Sequence, residues 1–128
     1  MGALTEILPD LHVGDMADGA LWPGAKVCVL EASCGHPGCT WVPILTVADG
    51  QLRAASSALE KAAGVYDRHH GLGPVLYHCG AGIERSPLVV AYILVTRRGM
   101  TWQGAYDLIR AARPQVQDRS AWLGSNHV

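Results

Sequence analysis

The sequence contains no phenylalanine and only two lysines, and charged residues make up just 16% of its 128 positions. Ten basic residues against eleven acidic ones leave a formal net charge of -1. The chain therefore has no global field of the kind that collects nucleic acid or an anionic membrane, and any anion it binds must be held by a local arrangement. No stretch approaches the roughly 18 apolar residues of a membrane span. The opening Met1-Gly2-Ala3-Leu4-Thr5-Glu6 has neither the basic segment nor the apolar run of a signal peptide. Glu6 also stands where a myristoylation pattern needs Ser or Thr. Repeats, low-complexity tracts and dividing linkers are missing too, so residues 1–128 are expected to form a single domain. Four cysteines without a secretory signal suggest a reducing, cytoplasmic compartment with thiols rather than disulfides.

What remains is 49% hydrophobic, with 15 glycines and 7 prolines punctuating it, a composition that suits a folded core rather than disorder. Ile7-Leu8 and Leu11-Val13 flank Pro9-Asp10 and read as two short edge strands. Lys26 to Leu30 reads as a buried strand, residues 31–40 as a breaker-rich loop, and Trp41 to Ile44 as a further strand. After Asp49-Gly50, the residues Leu52, Ala55, Leu59, Ala62 and Tyr66 recur at helical spacing and predict a helix lying on the core. Val75 to His78 is a strand. Ser86-Pro87 is expected to cap a central helix running from Leu88 to about Arg98, with Gly99 as its stop. Thr101 caps a last helix through Ala112. This alternation predicts an α/β fold, a three-layer sandwich with a short mixed sheet, parallel at its centre and flanked by helices.

The informative segment is His78-Cys79-Gly80-Ala81-Gly82-Ile83-Glu84-Arg85-Ser86, placed between a strand and a helix start. A tight turn there aims successive backbone N–H groups, and the positive end of the helix dipole, into one phosphate-sized concavity. Gly80 and Gly82 are expected to supply unusual dihedrals. Cys79 at the mouth is favoured in its charged, nucleophilic form by those dipoles and a nearby guanidinium, and Arg85 can grip two phosphate oxygens with its planar fork. With four Cys and eight Arg, a Cys-x5-Arg pair arises by chance about 0.25 times in such a chain; adding the flanking His, Gly and Ser reduces this to roughly 6 in 100,000.

This pattern, His-Cys-x5-Arg-Ser, resembles the signature of the cysteine-based protein phosphatases, and the chain as a whole is similar to their small dual-specificity branch. The resemblance implies two-step hydrolysis through a phosphocysteine. Cys79 would be the nucleophile, Gly80, Ala81, Gly82, Ile83, Glu84 and Arg85 would bind phosphate, Ser86 would assist departure of the sulfur, and His78 would fix the loop through its ring. The family carries its general acid about thirty residues before the nucleophile, after a strand ending in an Ile-Pro-like pair. Trp41-Val42-Pro43-Ile44-Leu45-Thr46-Val47-Ala48-Asp49 matches this, which points to Asp49; Asp49-Gly50 is also a plain turn or helix cap. The expected substrates are phosphotyrosine and phosphoserine or phosphothreonine in proteins or peptides, with no cofactor, metal, nucleic acid or membrane, and a monomeric enzyme. The alternatives are a non-protein phosphate ester, such as a phosphoinositide or an RNA 5′-triphosphate, and a weakly active phosphate-binding module. The last arises from Glu84, whose carboxylate either faces the phosphate or turns outward to pair with a surface Arg. Cys28, Cys34, His36 and Cys39 do not follow a standard zinc-ligand spacing.

Overall fold

The structure is a computed structural model that describes residues 4–124. Five strands form the main sheet in the order β1-β2-β7-β3-β4. They are β1 (Thr5–Leu8), β2 (Leu11–Gly14), β3 (Lys26–Cys28), β4 (Cys39–Trp41) and β7 (Val75–His78), and β5 (Leu45–Ala48) and β6 (Gln51–Ala54) make a separate two-stranded hairpin. β1 runs antiparallel to β2, and every other pairing in the main sheet is parallel. The expected mixed sheet with a parallel centre is therefore present. β2, however, is an interior strand between β1 and β7, so only β1 of the opening pair lies at an edge.

The central strand β7 is buried along its whole length, as a parallel strand covered on both faces must be. Alternate side chains of a strand leave opposite faces. Tyr77 points to one side, where its hydroxyl donates to the Ala62 carbonyl at 2.6 Å and accepts from the Tyr66 amide at 3.2 Å. This anchors α2 (Ser56–His69) on the sheet. The next helix, α3 (Arg85–Arg98), buries Leu88, Val89, Val90, Ala91, Ile93 and Leu94 completely, which explains why its sequence is apolar nearly all round. Arg97, in the last turn of α3, ties that helix to α2 through Glu60 (2.6 Å) and Asp67 (2.7 Å). Gly99 ends α3 in the left-handed conformation. Thr101 caps α4 (Trp102–Ala112) by accepting the Gly104 amide at 3.0 Å.

Three sequence expectations change. The helical stripe does not begin at Leu52, because Asp49 and Gly50 both have positive φ (54° and 73°) and close a two-residue hairpin between β5 and β6. A two-residue Asp-Gly turn of this kind matches strand twist and overrides the spacing. Leu52 is accordingly 43% exposed. Strand structure also ends at Trp41 rather than continuing to Ile44. Finally, α1 (Met16–Leu21) was not expected; it is only six residues long and owes its start to a capping box between Asp15 and Asp18.

Candidate active site

β7 delivers Cys79 to the end of the sheet, and the chain turns through residues 80–84 into α3. The first four carbonyls along the turn are claimed from outside. Gly80 O accepts the Met16 amide (3.0 Å), Ala81 O and Gly82 O accept the Arg113 guanidinium (3.0 and 2.7 Å), and Ile83 O accepts the Gln117 amide (3.0 Å). In a trans peptide the N–H points opposite to the C=O. The amides of Ala81, Gly82, Ile83 and Glu84 are thereby turned to the inner side of the loop, the geometry of an anion-binding nest. Gly82 is obligatory there. Its φ is +69°, and a Cβ would come within 2.6 Å of both the Gly14 carbonyl and Arg113. Gly80, by contrast, has no positive φ and open space where a Cβ would be, so the unusual dihedral expected at both glycines belongs to Gly82 alone.

Cys79 is 2% exposed, and its Sγ lies 3.2 Å from Ser86 Oγ and 3.5 Å from the Ser86 amide. Ser86 is not the helix cap. Glu84 occupies that position without a side-chain cap bond, and Ser86, one residue inside α3, turns its hydroxyl to the sulfur. A cleft of about 280 Å³ opens over the loop, lined by Cys79, Ala81, Ile83, Glu84, Arg85 and Gln117. At its rim Arg85 donates from Nε to Glu31 at 3.1 Å. The Glu84 carboxylate pairs with Arg119, whose Nε donates to it at 3.0 Å, so its charge is met by a guanidinium.

Arg113 escaped the sequence reading. It is 2% exposed and binds Thr5 Oγ1 at 2.9 Å as well as the two loop carbonyls. Burial lowers its pKa from the ordinary guanidinium value, while the Asp18 and Asp15 carboxylates oppose that shift. The only signal in the sequence was its place directly before the helix-ending Pro114, which says nothing of where a side chain 31 residues from Gly82 will reach.

Asp49 sits at the exposed tip of the β5–β6 hairpin. The structure does not bring it among the residues that line the cleft. His78 is fully buried, and its Nε2 lies 3.3 Å from Cys39 Sγ, so the ring reaches toward the 31–40 loop. Burial first, and the neighbouring His36 second, lower its pKa.

No family model matches the chain. In sequence it is 30% identical over 134 residues to human dual specificity protein phosphatase 2, covering 96% of this chain and 42% of that protein. The chain thus spans under half the length of that relative. In structure it superposes on the crystal structure of DUSP15 with a TM-score of 0.78 at 20% identity, covering 93% of this chain and 81% of that one. In sequence the chain is thus similar to dual-specificity protein phosphatases, and its fold is the one they share. A shorter match, 32% over 74 residues, joins this phosphatase-like chain to the phosphatidylglycerophosphate phosphatase PTPMT1 of Arabidopsis thaliana, over 57% of this chain and 22% of that one.

Proposed function

We propose that this chain hydrolyses phosphate monoesters on tyrosine, and on serine or threonine, of protein substrates through a phosphocysteine on Cys79. The observation that carries the reading is the convergence on one cleft of a cysteine sulfur, the loop amides and Arg85. The Cys79 sulfur attacks phosphorus in line, forming the S–P bond as the P–O bond to the side-chain oxygen breaks. The inward amides and Arg85 carry the charge on the equatorial oxygens. An incoming phosphate competes with Glu31 for Arg85. Asp49 lies outside the cleft lining, so in this reading its hairpin must move toward bound substrate for it to protonate the departing oxygen and then, as carboxylate, take a proton from the water that cleaves the S–P bond. Ser86 Oγ donates to the sulfur as it leaves, returning Cys79. His78 supports the start of the loop from the other side of the sheet.

Residues 1–128 are read as one catalytic domain, monomeric and placed in the reducing cytoplasm that a catalytic thiol requires. Among the described residues no helix is long and apolar enough to cross a membrane. A non-protein phosphate ester is the second reading, favoured by the PTPMT1 likeness; the loop interior Gly-Ala-Gly-Ile-Glu has no lysine to meet further phosphates. The deciding experiment is turnover of p-nitrophenyl phosphate in EDTA, followed by phosphotyrosine, phosphoserine and phosphothreonine peptides beside a phosphoinositide. Turnover by the parent that is lost in Cys79→Ser supports the reading. Activity surviving in Cys79→Ser overturns the cysteine mechanism, and preference for the lipid overturns the protein substrate.

A further inference from the structure

Three cysteines play no part in this chemistry, and the fold brings all of them to one imidazole. In parallel strands, residues in register share a face. Cys28 of β3 stands opposite His78 of β7, and Cys39 of β4 stands opposite Lys26 of β3, so Cys28, His78, Lys26 and Cys39 all emerge on one face of the sheet. Cys79, one residue after His78, leaves on the other. The loop between β3 and β4 then returns Cys34 to the same spot. The sulfurs of Cys28 and Cys34 and a ring nitrogen of His78 lie within 4.8 Å of one another, and Cys39 Sγ is 3.3 Å from His78 Nε2. All three cysteines are free thiols.

We propose that Cys28, Cys34, Cys39 and His78 form a tetrahedral, structural zinc site on the sheet face opposite the nucleophile. Three sulfurs and one imidazole nitrogen are a donor set that selects soft or borderline metals, and Cys3His is a standard closed zinc shell. Zn–S bonds of about 2.3 Å and Zn–N bonds of about 2.0–2.1 Å place neighbouring ligand atoms roughly 3.5–3.8 Å apart; Cys28, Cys34 and His78 lie within 4.8 Å of one another, and Cys39, outside that group but 3.3 Å from His78 Nε2, must turn its sulfur inward to complete the shell. Two further features suit a thiolate–metal centre. Gly35, at φ +76°, reverses the chain so that the His36 amide donates to Cys34 Sγ at 3.4 Å, leaving the sulfur both bonded and directed inward. Three thiolates on one Zn²⁺ carry a net charge of -1, and the buried Lys26 is the cation on that face, held by the Gly19 carbonyl at 2.8 Å. Gly19 also lets α1 close over the imidazole, since a Cβ there would meet the His78 ring at 2.7 Å. Linear spacing concealed the site because its fourth ligand lies 39 residues beyond Cys39 and inside the phosphatase signature.

Bound zinc would pin the 31–40 loop, and with it the Glu31 that holds Arg85, to the central strand. The site stands independently of the phosphatase activity and is tested by metal content. The full chain, expressed in zinc-supplemented medium and purified under reducing conditions without chelator, is expected to hold about one zinc per chain. Co²⁺ should replace it with a thiolate-to-cobalt charge-transfer band. Cys34→Ala and Cys39→Ala, on the less buried side, are expected to lower zinc content at least about ten-fold while keeping the parent's circular dichroism; Cys79→Ser should keep the metal. A parent chain with under about a tenth of an equivalent of zinc and no charge-transfer band overturns the proposal. So does a disulfide among Cys28, Cys34 and Cys39 in the reduced preparation, or loss of zinc in Cys79→Ser equal to that in the ligand variants.

Discussion

The two halves of the proposed catalytic machinery are built very differently. The anion-binding half has its loop carbonyls tied down by Met16, Arg113 and Gln117, and at Gly82, with positive φ, there is no room for a side chain beside the Gly14 carbonyl. The acid half is one residue, Asp49, at the tip of a hairpin that does not pair with the main sheet and exposes Val47 at 71% and Leu52 at 43%. The nest must be rigid, since electrostatic stabilisation depends on donors that need no reorganisation as charge develops. The acid must meet leaving groups of different length, and the exposed tip of a hairpin anchored at its base by the buried Leu45 and Ala54 suits that task.

This contrast can be broken most severely at the acid. Asp49→Asn is expected to lower kcat about 10²–10³-fold for substrates with poor leaving groups. A kcat equal to the parent's would show that the acid lies elsewhere. On the rigid side, Arg113→Met removes the donors of two loop carbonyls and leaves them buried, which should cost about 2–4 kcal/mol of stability and raise KM for phosphate esters. A chemical denaturation midpoint equal to the parent's would show that the loop does not depend on Arg113.

Smaller effects sharpen the border between the halves. Glu31→Gln frees Arg85 from an ion pair that is partly exposed on both sides, so KM should fall about two- to five-fold, the scale of an exposed pair. A rise in KM would show that Glu31 orients Arg85 rather than competing with substrate. The smallest effect is expected where α3 is tied to α2. There Arg97 first and Tyr92 second hold Glu60 down at about 2 from 4.5. A depressed carboxylate stabilises the fold above its unfolded pKa, and that contribution is lost as pH falls through the folded value. Stability should therefore decline between pH 4.5 and about 2, and modestly, because the pair is solvated. Glu60→Gln should flatten that decline in acid-dependent melting curves.

Much of this was legible along the chain. The signature loop, the central helix with its Gly99 stop and the Thr101 cap all depend on neighbours close in sequence. Glu84 could be posed only as a choice, phosphate or a surface Arg, and Arg119 settles it from 35 residues away. Ser86 reads both as a cap and as a sulfur-facing hydroxyl, since the two call for the same residue at nearly the same place; the structure has the second and not the first. The Leu52 stripe failed because three-residue steps also occur by chance across a strand and a following helix, while the Asp49-Gly50 hairpin signal was the stronger local constraint. Arg113 and the convergence of Cys28, Cys34 and Cys39 on His78 lay beyond the sequence altogether, since both are consequences of sheet order.

The rigid nest and the exposed acid make sense together only if Cys79 carries the phosphoryl group between the two steps. The most direct measurement is rapid quench of the Asp49→Asn variant with a substrate whose leaving group needs no protonation, followed by peptide mass spectrometry. With water activation removed, a phosphate adduct is expected to accumulate on the peptide containing Cys79 and to be missing from Cys79→Ser. An adduct on any other residue, or turnover at the parent's rate by Cys79→Ser, would contradict it.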